Sequence, residues 1–367
     1  MKFNKKSVLF IVSIVVSIVC SWLFIKNIEW SLLRNALREA NYWFIMPTVI
    51  LALLVFPVRA YRWQGLLSHI KKVPVIHLLA VTSIGFMANN ILPARVGEIL
   101  RPFLLYKKEK VKFSTSVATV IVERVFDMLG LIIFTIIVIA LLPHPTATNH
   151  DPLTQLSSDH RTVVKDSIIP SLKKWTEVFA GVGGITVFAL FLIVIKPDFF
   201  KKILSLICFF LPHTFKEKIL GLYESFVHGL KILENKLQTF RILALSLVIW
   251  ILGGAEIYLL GFSFHLHLPF ICACLVAVCL ALAVAMPQAP GYIGVFHIAV
   301  LKSLDIFGIE ATAAQSYAIV LWAVSILPST ILGFLFLWRE GIAFREVVKL
   351  EEEIAEGTLE QKEGITE

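Results

Sequence analysis

The feature that most limits what this chain can fold into is its series of long, uninterrupted apolar segments. Each approaches or exceeds the roughly 20 residues that an α-helix needs to cross the hydrocarbon core of a bilayer. Of the 367 residues, 57% are hydrophobic and only 16% are charged. The sequence therefore predicts an all-α polytopic membrane protein, and nothing in it resembles a soluble catalytic domain. The clearest segments are Val8–Ile25, Trp43–Ala60, Ser116–Leu142, Val178–Ile195, Ile242–Phe262 and Ala311–Trp338.

The first apolar segment follows Lys2, Lys5 and Lys6, so a cleaved signal peptide is the alternative to a membrane span. No A-x-A-like cleavage site follows it, and Cys20 lacks the small preceding residue of a lipoprotein signal. We therefore interpret residues 8–25 as an uncleaved first helix.

Lysine and arginine accumulate in cytoplasmic loops, and their distribution predicts the orientation of the chain. Basic groups occur at the N-terminus, at Arg59–Lys72, at Lys107–Lys112 and along residues 196–241, whereas Ser263–Phe270 has none. This pattern predicts both termini in the cytoplasm and a location in the cell inner membrane. The net charge of +8 then fits an anionic lipid surface, and no nucleic-acid partner is expected.

Two apolar stretches are interrupted by proline and glycine, which free backbone groups at membrane depth. Val75–Leu92 breaks at Leu92–Gly97 and lies between two basic loops, which predicts a re-entrant hairpin from the cytoplasmic side. Ile271–Met286 breaks at Pro287–Gly294 and returns through Val295–Leu304, which predicts a hairpin from the outer side. The alternative is that each hairpin is a pair of short full spans.

The order of spans and hairpins is the same in residues 1–142 and 176–340, with opposite orientation. Paired Gly/Pro-interrupted helices in inverted repeats are typical of transporters whose site lies between the repeats. The sequence thus predicts one transporter-like domain over residues 1–340, an inverted-repeat bundle with two re-entrant helical hairpins. An acidic cytoplasmic tail follows over residues 341–367.

Charged side chains inside a bilayer cost several kcal/mol unless they are paired or hydrated, so they mark candidate sites. We expect Arg124 to pair with Asp127, leaving Glu123 to meet Arg95 or Arg101. Glu98 lies one turn from Arg101, so three arginines face three carboxylates. Such a cluster could be an ion-pair contact that only holds helices together. In the functional interpretation, the arginines donate bidentate hydrogen bonds to a lipid phosphate.

Isolated polar residues in the second half leave more than one interpretation open. Glu256 is the only charge within its span, and it could carry a transported proton or simply contact a polar partner such as Gln288. We expect His297 to be structural. His265 and His267 have no evident third ligand, and the five cysteines lack metal-type spacing, so no metal site and no cofactor are predicted.

Three motifs in order resemble the lysylphosphatidylglycerol synthase transmembrane (flippase) family over about residues 8–340. They are Asn90–Arg101, Glu123–Asp127 and Pro290–Gly294. The resemblance implies movement of a lipid between leaflets; relatives move aminoacylated phosphatidylglycerol or are associated with glycolipid, hopanoid or polyprenyl-lipid pathways. No synthase domain follows the last span, so we expect no lipid synthesis. Where relatives often carry an acidic residue, this chain has His297.

The first functional hypothesis is a flippase for a phospholipid, glycolipid or polyprenyl-linked lipid. The second is an accessory membrane subunit that holds a separate lipid-modifying enzyme or glycosyltransferase and moves nothing. An integral membrane transferase is disfavoured because the sequence has no nucleotide-binding glycine loop and no nucleophile–base pair. The predicted partners are membrane lipids, with the oligomeric state left open. The predicted substrate-binding residues are Asn90, Pro93, Arg95, Gly97, Glu98, Arg101, Glu123, Arg124, Asp127, Gln288, Pro290, Gly291 and Gly294, with Glu256 as a candidate proton-coupling residue.

Overall fold

The computed structural model describes residues 30–92, 95–141, 196–207, 235–266, 268–285, 290–305 and 307–348, with isolated positions at 22, 26 and between 216 and 227. The predicted spans 8–25 and 178–195, the residues Pro93 and Gln288, and most of the acidic tail lie outside these ranges. Regular structure within them is helical. The α-helices are α1 (Trp30–Glu39), α2 (Ile45–Leu67), α3 (Val75–Ile91), α4 (Gly97–Glu109), α5 (Phe113–Leu141), α6 (Pro197–Ile207), α7 (Lys236–Ser263), α8 (Phe270–Ala285), α9 (Val295–Asp305) and α10 (Ala311–Arg339).

Four of these helices are long and apolar enough to cross a bilayer: α2 with its preceding 3₁₀ turn, α5, α7 and α10. They coincide with four of the six predicted segments, which confirms the all-α membrane class. Many of their large apolar side chains are exposed, among them Met46, Ile136 and Ile331. Such surfaces are suited to contact with lipid, which hides apolar side chains as a protein core would.

The two helix breaks occur where the sequence predicted them. Leu92 is extended (φ −94°, ψ 150°), as expected for a residue before proline, and α3 therefore ends at Ile91. At the second break a 3₁₀ turn, Pro290–Tyr292, precedes α9, and Gly291 and Gly294 take positive φ values of 69° and 84°. Glycine adopts this left-handed conformation without the steric cost of a Cβ atom.

The α3–α4 pair and the α3–α10 pair pack with their backbones almost in contact. A Cβ atom on Gly97 would lie 1.9 Å from the carbonyl oxygen of Gly85, and one on Gly333 would lie 2.7 Å from that of Ser83. Any larger side chain would push the helices apart. Glycine at these two positions thus fixes α3 between α4 and α10.

The helices form two buried apolar clusters, one around α2, α3 and α4 and one around α7, α8 and α9. The long helix α10 contributes to both clusters. Helices α2 and α7 pack against each other and run antiparallel. At one end the backbone N–H of Asn41 donates to the Ser263 carbonyl at 2.8 Å, and at the other end Gly65 faces Ile242.

Arg59 and Arg62 are placed differently from the sequence prediction, which assigned them to a cytoplasmic loop. Helix α2 runs on to Leu67, seven residues past the predicted end of the span at Ala60. Both arginines therefore lie within the helix, and the Arg62 side chain is fully buried. The prediction was wrong because it treated the basic residues at the end of the Trp43–Ala60 segment as the start of a loop.

Candidate functional site

The buried centre of the charged cluster is the carboxylate of Glu123 on α5. Arg101 on α4 donates to it through both terminal nitrogens, at 3.2 and 2.9 Å. A terminal nitrogen of Arg62 on α2 lies 3.2 Å from the same carboxylate, and the Arg62 and Glu123 side chains are both 0% exposed. The Arg101 guanidinium also stacks over the Trp63 ring, 4.3 Å from its centroid. Two arginines from two helices thus neutralise one carboxylate.

Asp127, one turn further along α5, extends the cluster to α7. Arg62 donates to Asp127 and, at 2.7 Å, to the hydroxyl of Ser246. A terminal nitrogen of Arg59 lies 3.6 Å from the other Asp127 carboxylate oxygen. The Trp250 indole donates to the backbone carbonyl of Asp127 at 3.2 Å. Arg62 is therefore the side chain that links α2, α5 and α7.

Arg124 occupies the reachable edge of the cluster. Its terminal nitrogens lie 2.7 Å from Glu123, 3.1 Å from Asp127 and 3.8 Å from Glu98. The contact with Asp127 confirms the expected pairing across one helical turn. The side chains of Arg124 and Glu98 are 34% and 32% exposed, in contrast to the buried centre. Among the described residues, nothing accepts a hydrogen bond from the Nε atom of Arg124.

The cluster has a formal surplus of one positive charge. Four arginines face three carboxylates: Arg59, Arg62, Arg101 and Arg124 against Glu98, Glu123 and Asp127. The sequence predicted a neutral cluster of three against three that included Arg95, and this was wrong. Arg95 lies before the first turn of α4, in a left-handed conformation (φ 55°), and donates instead to the Val284 carbonyl on α8.

The two helix breaks approach each other beside this cluster. Gly291 faces the backbone carbonyl of Asn90, 3.7 Å from where a Cβ atom would lie. The Asn90 amide donates to the hydroxyls of Ser329 and Thr330, each at 3.0 Å, so it links α3 to α10 and lies outside the ion pairs. Tyr292 interacts electrostatically with Arg95, Glu98 and Arg124.

The second break is held by short polar contacts. The Trp322 indole donates at 2.6 Å to the carbonyl of Gly291, the residue that follows Pro290. The Gly294 amide donates to Nδ1 of His297 at 3.4 Å, and the buried His297 ring lies 5.8 Å from that of Trp322. His297 thus has a local structural role, as expected.

Glu256 lies outside the charged cluster. Its carboxylate accepts a hydrogen bond from the hydroxyl of Ser325, which joins α7 to α10. Glu256 is ten residues along α7 from Ser246, a distance of about 15 Å in a helix. Glu256 and the charged cluster are therefore two separate polar positions among the described helices.

Arg62, the residue that joins three helices, was missed by the sequence interpretation. The signal that could have found it is its spacing from Arg59, since residues three apart lie on one helix face. The apolar pattern also continues past it through Trp63, Leu66 and Leu67, all fully buried. A span that continues through its charges indicates buried ion pairs.

Chemically, the site is a guanidinium cluster with a partly exposed edge. Planar guanidinium groups bind phosphate and carboxylate oxygens through two parallel hydrogen bonds. Within the described ranges, no three metal-ligating side chains converge. The arrangement is suited to binding an anion whose approach is from the exposed side of Arg124.

Comparison with known proteins identifies related chains. The family model described as the lysylphosphatidylglycerol synthase TM region matches residues 10–333. A UPF0104 membrane protein of Methanocaldococcus jannaschii is 25% identical over 345 residues, covering 91% of this chain and 94% of that protein. A second from the same organism is 26% identical over 262 residues, 71% of this chain and 96% of that protein. The glycosyltransferase AglD of Haloferax volcanii is 21% identical over 302 residues, 80% of this chain but only 48% of that protein.

Proposed function

Because this chain belongs to the lysylphosphatidylglycerol synthase transmembrane family, we propose that it is a flippase that moves a phosphate-bearing lipid between the leaflets of its membrane. The lipid is a phospholipid, a glycolipid or a polyprenyl-linked lipid. In this proposal the headgroup enters the polar region beside the two helix breaks, while the acyl chains stay in the surrounding lipid. The chain acts on the position of the lipid and changes no covalent bond.

The observation that carries this proposal is the exposed edge of a cationic cluster at membrane depth. The surplus positive charge attracts an anion, and Arg124 is the most exposed of the four guanidinium groups, at 34% against 16% for Arg59. Charged residues this deep are retained mainly where they line a path or bind a ligand.

An inverted repeat is supported by the match between the two halves, α2–α5 and α7–α10. Helices α5 and α10 each contain 29 residues, and each begins 16 residues after the start of the short helix before it. Contacts also correspond: α2 packs on α3 as α7 packs on α8, and α3 packs on α10 as α8 packs on α5. The matching helices α2 and α7 are antiparallel, which supports a relation by inversion between the halves.

Re-entrant hairpins are supported by helix length. Helices α3, α4, α8 and α9 contain 17, 13, 16 and 11 residues. An 11-residue helix is about 16 Å long, roughly half the thickness of the hydrocarbon core. Helix pairs of this length suit hairpins that enter and leave on one side. The basic residues flanking α3 and α4 support an entry of that hairpin from the cytoplasmic face of the inner membrane, with both termini inside.

The second candidate function is an accessory membrane module without transport activity, and the similarity to AglD favours it. That relative is named as a glycosyltransferase, and the matching region is about half of its length. In this alternative, the chain binds the lipid substrate of a separate enzyme through the same arginine cluster. The two functions differ in whether the purified chain alone moves lipid.

The test is reconstitution of the purified full chain in liposomes that contain fluorescent phosphatidylglycerol in both leaflets. Extraction of outer-leaflet lipid by albumin measures how fast the inner-leaflet lipid becomes accessible. A flippase makes nearly all of the label extractable, whereas an accessory module leaves the inner half protected, as in protein-free liposomes. The second result would replace the transport proposal with the accessory role.

A further inference from the structure

A second polar pair, Glu256 with Ser325, joins α7 to α10 and is not used by the headgroup site. The Ser325 hydroxyl donates to the Glu256 carboxylate. In the part of the chain that the structure describes, no lysine, arginine or histidine forms an ion pair with Glu256. This carboxyl group therefore differs from Glu123 and Asp127, each of which is surrounded by guanidinium groups.

The pair occupies the place in the second half that Arg62 and Asp127 occupy in the first. Asp127 and Ser325 are both the fifteenth residue of a 29-residue helix. Their partners Arg62 and Glu256 lie five and seven residues before the ends of the matching helices α2 and α7. The two halves thus place an ionisable contact at corresponding positions. The contact of Arg62 with Asp127 includes a permanently charged guanidinium group. The contact of Glu256 with Ser325 joins a carboxyl group to a hydroxyl group.

A hydroxyl can satisfy either protonation state of a carboxyl group. Ser325 can donate to the carboxylate, and its oxygen can accept the proton of the carboxylic acid. The pair can therefore gain and lose a proton without leaving a polar atom unpartnered. Arg62 and Asp127 lack this property, because a guanidinium keeps its charge throughout the physiological range.

The groups facing Glu256 from neighbouring helices do not supply a compensating charge. Tyr317 of α10 is buried, and its hydroxyl donates to the Ile257 carbonyl at 2.6 Å. Cys274 of α8 packs against Gly254, two residues before Glu256. The arginines of α2 and α5 belong to the cluster near Ser246, about 15 Å along α7. A net charge change at Glu256 must then come from a proton.

We infer that Glu256, positioned by Ser325, is a proton-binding site that couples lipid movement to proton transfer across the membrane. This inference rests on the proposed lipid movement. The carboxylate takes one proton from water on one side and releases it on the other side when the halves exchange conformations. No covalent bond other than O–H forms or breaks.

The first experiment measures lipid movement by the full chain in liposomes at mildly acidic and mildly basic pH, with and without a pH gradient. The wild-type rate is expected to change several-fold with pH and with the direction of the gradient. The variant Glu256→Gln, whose side chain is neutral at every pH, is expected to show the same rate under all conditions. The control Asp305→Asn removes a carboxyl exposed at the end of α9 and should behave as the wild type.

Two outcomes of this experiment overturn the inference. In one, Glu256→Gln retains the wild-type dependence on pH and gradient. In the other, the wild-type rate is independent of both. Arg124→Gln is included because it should stop lipid movement at every pH, which marks failure at the headgroup site and not at the proton site.

A second readout decides the inference if neither the wild type nor any variant moves lipid. Infrared spectra of the reconstituted protein are recorded during a pH titration, and the Glu256→Gln spectra are subtracted. A protonated-carboxyl band that titrates in the wild type and is missing from Glu256→Gln supports the proton site even if the flippase proposal fails. The absence of such a band at every pH overturns the inference. Ser325→Ala should shift the pH at which the band appears.

Discussion

Arg62 and Arg124 belong to one cluster and contact the same two carboxylates, yet their surroundings give them different roles. Arg62 is fully buried between α2, α5 and α7, and every approach to it is closed by protein. Arg124 is one-third exposed and also lies 3.8 Å from the partly exposed carboxylate of Glu98. Burial therefore distinguishes Arg124, the proposed ligand-binding arginine, from Arg62, whereas charge and spacing do not.

Replacing Arg62 with Gln should destabilise the protein by about 3–5 kcal/mol, because two carboxylates lose a buried counter-charge. Replacing Arg124 with Gln should cost about 1 kcal/mol or less, since partly exposed ion pairs contribute little to stability. Thermal unfolding of both variants in detergent measures the difference. Equal loss of stability in the two variants would contradict the division into a buried centre and an exposed edge.

The same residues explain how far sequence reasoning reached. The contact of Arg124 with Asp127 was predicted, because helical spacing and opposite charge suffice to propose it. The contact of Glu123 with Arg101 was one of two predicted alternatives, the other being a contact with Arg95. Arg62 and Ser246 were not predicted as partners, since they are 184 positions apart and meet only through tertiary packing. Arg95 was wrongly included because proximity in sequence does not determine which way a residue in a helix break points.

At the level of helices, the existence of the four described long spans and the positions of the breaks were predictable, because apolar length and Pro/Gly chemistry are local. The end of α2 was not, because its apolar pattern continues past Arg62. The close packing of α3 between α4 and α10 was not, since it depends on which faces meet. Gly97 and Gly333 make that packing possible. These two glycines allow close contact between helices and do not form turns, so the sequence pattern did not reveal their role.

The variant Gly97→Ala should destabilise the protein by about 1–3 kcal/mol or more, because its methyl group would overlap the Gly85 carbonyl. Gly253→Ala is the matched control, since a Cβ atom there meets nothing within 4 Å. Because alanine favours a helix interior over glycine, the control should be neutral or stabilising by up to about 1 kcal/mol. Unfolding midpoints of the two variants should move in opposite directions, and a shared direction would argue against the backbone contact.

For the molecule as a whole, the proposed topology has the α3–α4 hairpin entering from the cytoplasm, so the first break is reached from that side. A cysteine at Arg95 should then resist a membrane-impermeant reagent added from outside, whereas one at Glu310, at the proposed outer end of α10, should react readily. The native cysteines are removed first, as their labelling would obscure the result. Rapid labelling of Arg95→Cys from outside would favour two full spans in place of the α3–α4 hairpin.

The order of spans and breaks along the chain favours two matching halves, which stays a prediction, but it did not indicate that the charged residues of the two halves differ. The first half contains a cationic cluster, and the second half has Glu256 beside Ser325. The assignment of Glu256 as a separate position required the tertiary structure, which pairs it with Ser325 of α10 and places Ser246, about 15 Å away along α7, in the cluster. The proposed transport depends on a lipid path between these two positions, the arginine cluster and Glu256 with Ser325.

The decisive measurement is lipid translocation by the wild type, Arg124→Gln and Arg241→Gln, reconstituted side by side at equal protein density. Arg241 is an exposed arginine at the start of α7 that stacks on Tyr61, so its replacement removes a cation without touching the cluster. We expect the wild type and Arg241→Gln to move phosphatidylglycerol at the same rate. Arg124→Gln should remain folded by thermal unfolding and move none. A folded Arg124→Gln variant with the wild-type rate would contradict a headgroup site at this cluster.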